Sequence, residues 1–260
     1  MIAAHVSELV NWSSVGSYSV GMLLLLPLLL TANPISTHIK GFDKPRKEQR
    51  GTLGPSQLAE GKVTVHCVDV GGWWLSELND PGHKGAVAVW MKKKTGDAIP
   101  CDGNDEGAVH LAGAEGFGHF AGTRGEFVFI TSADAFGDRA SLRVYSLRDG
   151  NQVYETEFSL DAPASLHGDG KSTTFKFHVA IAATCEPKGE DAASCWKQLR
   201  ESAHVPESLD IKAPPCDAVF KGKGPMAGTT LISLPAEVEL SASRTPLRFR
   251  AGAATCAESP

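Results

Sequence analysis

The residues best placed for shared chemistry are His110 and His119, two imidazoles nine positions apart. An imidazole exchanges a proton near physiological pH, and a neighbouring carboxylate orients it for acid–base work. Asp69, Glu77, Asp80 and Glu115 are the acids that could serve. Both histidines read as loop residues, so convergence is an expectation that spacing alone does not force. A second constellation is Asp102, Asn104 and Glu106, which alternate ahead of Gly107 like the front of an EF-hand loop. The twelfth position is Gly113 where the loop needs a bidentate Glu, and no helical pattern flanks it, which excludes an EF-hand. What remains is an acidic turn, with a looser cation loop as its alternative. No metal and no cofactor is expected. The chain has no Gly-x-Ser-x-Gly elbow, no His-Glu-x-x-His pair and no nucleotide loop.

Binding chemistry has two candidates. Trp73 and Trp74 are adjacent, so on a strand they point to opposite faces, one into a core and one outward or under a loop. The glycine-rich stretch 113–125, with Gly116 and Gly118, lacks the spacing of a phosphate loop and is read instead as a contact loop.

Six cysteines, Cys67, Cys101, Cys185, Cys195, Cys216 and Cys256, make an even set without any Cys-x-x-Cys pair. That pattern suits three disulfides in an oxidising compartment better than zinc. Cys185 with Cys195 is the local candidate, joined across the turn at Pro187, Lys188 and Gly189. Residues 20–32 form an uncharged, largely apolar run, shorter than a comfortable membrane span of about 20 residues and suited to the core of a secretory signal. The absence of Lys or Arg ahead of the run and the cluster Lys40, Lys44, Arg46, Lys47 and Arg50 behind it favour an uncleaved anchor as the alternative. Residues 1–36 are therefore read as signal peptide or signal-anchor, 37–60 as a basic flexible linker, and 61–260 as the exported domain, with a possible division into two sub-domains near 161–172.

The elements that must position these residues are strands. Residues 127–131, 141–147 and 152–160 are rich in β-branched and aromatic side chains and are separated by turn formers. A two-residue Asp149-Gly150 turn would set Val144 opposite Glu155 and Leu142 opposite Glu157. A three-residue loop with Gly150 left-handed pairs Val144 with Tyr154 and Leu142 with Thr156 instead, and puts Arg143 beside Glu155. The second register leaves one face apolar and the other charged, so it is the one expected. This hairpin resembles two strands of a β-propeller blade, but no second copy follows at the 40-residue spacing a propeller needs. Further strands are expected at 62–70, with a bulge near Cys67 to explain a slipped alternation, and at 86–91, 173–183, 229–234, 237–242 and 247–250. His66 and His178 are expected on outward faces. One helix is expected over 192–202, capped by Asp191, with Cys195, Trp196 and Leu199 on its apolar stripe.

The pattern predicts a mainly β fold, an antiparallel sheet or β-sandwich with one short helix, reinforced by disulfides. A net charge of −5, with Lys and Arg dispersed among the acids, implies no nucleic-acid partner and no membrane contact beyond the N-terminal segment. Three function classes fit. The first is an exported binding module of inhibitor or immunity type, whose partner is another protein or an envelope component. The second is an extracytoplasmic hydrolase built on a His and carboxylate site. The third is a membrane-anchored structural protein.

Overall fold

The computed structural model describes residues 37–112, 118–133, 137–168, 172–221, 229–241 and 246–259. The leader at 1–36 and Gly116 lie outside them. The chain enters through β1 (Ile39–Lys40) and then builds two consecutive antiparallel meanders. The first sheet runs β2 (Glu48–Pro55), β3 (Lys62–Asp69), β4 (Trp73–Asn79), β5 (Ala86–Lys93) and β6 (Val109–Ala112), in that order. The second runs β7 (His119–Arg124), β8 (Phe127–Ala133), β9 (Arg139–Ser146) and β10 (Gln152–Ser159). The third sheet combines β1 with β11 (Ala164–Gly168), β12 (Thr173–Ala182) and β14 (Thr229–Leu240), which carries β15 (Arg248–Phe249) and β17 (Thr255–Ser259) on its far side. Between β12 and β14 lie α1 (Ala192–Ser202), β13 (Ile211–Lys212) and the single turn α2 (Cys216–Val219); β13 pairs with β16 (Gly252–Ala253). The fold is mainly β and largely antiparallel, with one short helix at the expected place.

The second sheet is the middle layer. One of its faces, with Phe129, Leu142, Val144 and Phe158, packs on Phe175, Phe177, Val238 and Leu240 of the third sheet. The other, with Val128, Ile130 and Tyr145, packs on Val68, Leu75, Val89 and Met91 of the first. Residues Phe127 to Thr131 are consequently buried in succession, where a strand covered on one side would alternate. The larger core joins residues on both sides of 161–172, and Ala164 and Leu166 of β11 sit inside it. The change of core falls elsewhere, along the β12 and β14 pair: Ala236, Val238 and Leu240 face the second sheet, while Ile232 and Leu234 on the same face meet Cys195 and Leu199 of α1.

Residues 37–60, read from sequence as a flexible linker, form a strap stitched to all three sheets. β1 lies parallel to β11, Ile39 opposite Ala164. The Phe42 ring then meets Phe129 edge-on, 5.5 Å between centroids, over Gly122. Asp43 takes hydrogen bonds from Arg124 at 3.0 Å and the Gly125 N–H at 2.7 Å, while its own N–H donates to Thr123 at 2.8 Å. β2 completes the strap as an edge of the first sheet. These contacts use backbone pairing, one carboxylate and two apolar side chains, so no hydrophobic periodicity advertises them.

The central hairpin has the expected pairs, Tyr154 with Val144, Glu155 with Arg143 and Thr156 with Leu142. Gly150 is left-handed at φ 74°. The route differs by one residue: Ser146 accepts from Gly150, its N–H donates to the Asn151 carbonyl, and a bulge at Val153 restores the register. No bulge interrupts β3 near Cys67. The slipped alternation there reflects burial of both faces, since Cys67, Val68 and Asp69 are all covered. Residues 229–240 form one strand through Pro235, which falls in the gap between β17, pairing as far as Ser233, and β15, pairing from Ala236. A proline at that gap gives up no ladder hydrogen bond on its far side.

All six cysteines pair: Cys67 with Cys101, Cys185 with Cys195, and Cys216 with Cys256. Asp191 makes no side-chain cap; a turn of 3₁₀ helix, Gly189–Asp191, leads into α1 instead. Among the described residues no helix is long and apolar enough to cross a membrane.

Candidate functional site

Where the first and second sheets part company, apolar packing gives way to a polar row. On β4, Trp73, Leu75 and Glu77 share the face that looks at the second sheet. Glu77 is 7 % exposed, at a depth where an unpaired carboxylate would be costly. It is paired three times over. Its Oε2 accepts the N–H of Phe120 at 2.7 Å, and its Oε1 accepts from Asn79 Nδ2 at 2.9 Å and lies 3.1 Å from His119 Nδ1. Burial opposes its ionisation, but the bond and charge of His119, with Asn79 and Phe120, together hold its pKa below the ordinary value. The carboxylate thus clamps β4 to β7, an edge strand of the second sheet, and satisfies one of that edge's open N–H groups.

The row continues outward. His66 is directly opposite Glu77 on β3, and its Nε2 lies 2.6 Å from Glu48 Oε1 on β2. Its ring sits 6.5 Å from that of Phe120, and Arg50 pairs opposite it. Glu77 is the innermost of the group, with the partly exposed His119 on one side and His66, then Glu48 and Arg50 of the exposed edge strand, on the other. Chemically, the Glu77 and His119 pair orients an imidazole through Nδ1, and outside it His66 meets the Glu48 carboxylate.

The sequence candidates fall in different places. His110 does not join His119: it lies opposite Trp90, 3.2 Å from Asp105, on the other side of the first sheet. Trp73 is half-buried on the core between the first two sheets, with Lys93 Nζ 5.9 Å from its ring. Trp74 faces the opposite way and is 3 % exposed, covered by Lys94, whose Nζ is 4.2 Å from the ring and 2.7 Å from Asp69. Gly118 is buried, and a Cβ there would come within 2.5 Å of Ile130. Asp102 and Asn104 spend their side-chain oxygens on the N–H groups of Asn104 and Glu106, at 3.0 and 2.8 Å, and Glu106 is exposed on the same turn. Among the described residues no three His, Cys, Asp or Glu side chains group as a metal site would require. His178, expected outward, is half-buried beneath the Ala253 backbone, and burial lowers its pKa.

Sequence reasoning counted Glu77 and His119 among the acids and imidazoles that could pair, read His66 only as a strand histidine, and missed Glu48 and the β2 edge. The available signal was Glu77 itself, a carboxylate in phase with Trp73 and Leu75 on a strand. The cysteine pairing points to an oxidising, non-cytoplasmic compartment, with no free thiol in the chain. Compared with protein-family models, curated proteins and solved structures, the chain matches none of them.

Proposed function

We propose that this is an exported, non-catalytic binding module of the inhibitor or immunity type, whose partner is another protein engaged along β2. One observation carries the reading. β2 is an edge strand of eight residues exposed on both faces, and the chain there presents the two most exposed large apolar side chains among the described residues, Leu53 at 42 % and Leu58 at 63 %. An open strand edge with apolar side chains beside it is the feature that soluble folds otherwise cover or blunt, and it is a common docking surface. The three disulfides and the apolar run at 20–32 support export. Glu77, with its acceptor oxygens already engaged, supports a structural use for the dyad.

The test is a photo-crosslinking amino acid placed at Leu53 or at Leu58 in the expressing cell, with the same group at the exposed Glu157 of β10 as control. A discrete protein adduct from the β2 positions is the expected result. Adducts of equal yield from Glu157, or none from β2, would remove the reading.

A second reading, an extracytoplasmic hydrolase, is favoured by the Nδ1 contact of His119 with buried Glu77, which is how a general base is oriented. It predicts ester or peptide hydrolysis by the full chain that His119→Ala abolishes without unfolding the protein.

A further inference from the structure

We infer that the segment docking on β2 is an extended, acidic strand that adds to the edge of the first sheet; this rests on the reading of β2 as the partner surface. The backbone defines the window. The Asp69 N–H donates to the Lys47 carbonyl at 2.9 Å, and Gln49 and Gly51 lie opposite Cys67 and Val65. Antiparallel pairs alternate between bonded and non-bonded positions, so the N–H and C=O groups of Glu48, Arg50 and Thr52 turn away from β3. The window closes at one end with the register shift between Thr52 and Gly54, followed by Pro55, which has no N–H to offer. Three residues with both backbone groups facing outward accept a strand of about six residues.

The charge around that window is predominantly positive. Lys44, Arg46, Lys47 and Arg50 are all exposed, and Glu48 is the one carboxylate in 44–52. Glu48 is held by His66. Among the described residues no carboxylate pairs with any of the four cations; Lys47 reaches a backbone carbonyl, that of Asp97, at 3.2 Å. A strand carrying Glu or Asp at two positions four residues apart, with an uncharged residue across from Glu48 between them, would set carboxylates across from Arg50 and Arg46, on the face that holds His66, while its backbone completes the ladder. A second copy of this chain would add four more cations and one more carboxylate to the same interface, so the net like charge opposes edge-to-edge dimerisation. The whole-chain charge of −5 conceals this local excess of cations.

The test uses the full chain and three fluorescent peptides of about seven residues: Val and Thr with Glu at two positions four apart, the same with Lys in place of Glu, and the Glu form N-methylated at every second amide. Binding is read by anisotropy, and amide protection in 47–52 by hydrogen exchange. The Glu peptide is expected to bind and to protect these amides. Arg50→Glu and raised salt should each weaken it about tenfold, and N-methylation should cost at least about tenfold. Equal binding of the Lys peptide overturns the charge argument, and undiminished binding of the N-methylated form overturns strand addition. Protection of 47–52 that appears without peptide and grows with protein concentration assigns the edge to a second copy and overturns it too. A protein adduct at Leu53 with no binding of the Glu peptide leaves the partner reading standing and removes this one; peptide binding with no adduct does the reverse.

Discussion

Replacing Glu77 by Gln tests whether the carboxylate clamps the first two sheets together. The side chain keeps its size and one carbonyl oxygen for the Phe120 N–H, 2.7 Å away in the wild type. It loses the charge that faces His119 at 3.1 Å, and its amide nitrogen meets the Asn79 donor now 2.9 Å from Oε1. Losing charge-assisted bonds at a site this buried costs about 2 kcal/mol, or about 4–8 °C in Tm for a domain of this size. The pH dependence sharpens the test. The Glu77 pKa is lowered on folding from 4.5, so its contribution is complete well above that value and is lost as pH falls through the lower folded one. Thermal unfolding by circular dichroism, run on wild type and Glu77→Gln from about pH 7 to about pH 3, should show a gap that closes in acid, because protonated Glu77 becomes the near equivalent of the amide. A His119→Gln cycle at neutral pH should recover about 1 kcal/mol of coupling. A Tm gap of the same size at both pH extremes, or no coupling, would refute the clamp.

Other perturbations follow from the same coordinates. Gly122→Ala places a Cβ 2.5 Å from the Phe42 ring, so the strap should lift there, and limited proteolysis should cut within 40–47 faster than in the wild type; equal cleavage rates would contradict the strap. Lys94→Ala leaves Asp69, 4 % exposed, without its cation, which should cost roughly 3 kcal/mol in chemical denaturation and alter the fluorescence of Trp74. Serine pairs at the disulfides should rank by loop length: about 2.7 kcal/mol for Cys185 and Cys195, separated by 10, against about 3.9 for Cys216 and Cys256, separated by 40. Denaturant midpoints in the reverse order would show that loop entropy is not the controlling term.

The parts of the fold legible in the sequence are those where one side chain face decides the answer. The β9 and β10 register could be derived because a slip would have put Glu155 and Glu157 among Val144 and Leu142, and α1 because Cys195 and Leu199 share a helical stripe. The parts that were not legible are held by the backbone or covered on both faces. β2 has no buried face and read as linker; β11 is short and half built of small residues; Cys67, Val68 and Asp69 read as a bulge because alternation vanishes when two layers cover one strand. The site was half legible for a related reason. Glu77 and His119 are 42 residues apart on different sheets, and their meeting depends on how those sheets stack, which no local pattern encodes.

The disulfides show how the molecule divides its stabilisation. The interfaces on either side of the second sheet are sheet against sheet, with Phe129, Phe158, Phe175 and Phe177 in one and Leu75, Val89, Val128 and Ile130 in the other, and no cysteine belongs to either core. Every cysteine lies instead where irregular chain has to cover a sheet. Cys67 and Cys101 hold the 94–108 loop over Val65 and Trp90 on the outer face of the first sheet. Cys185, Cys195, Cys216 and Cys256 tie α1, α2 and β17 around Ile232 and Leu234 at the far end of β14. Strands cover each other by ladder and side-chain register together, whereas a loop or a single helix contributes few fixed backbone bonds and gains most from a covalent limit on its unfolded freedom. By the same logic the strap, which has no crosslink, is held at one end by the Phe42 and Asp43 contacts and at the other by the ladder of β2 on β3, and the exposed edge offered to a partner is only as ordered as those contacts make it.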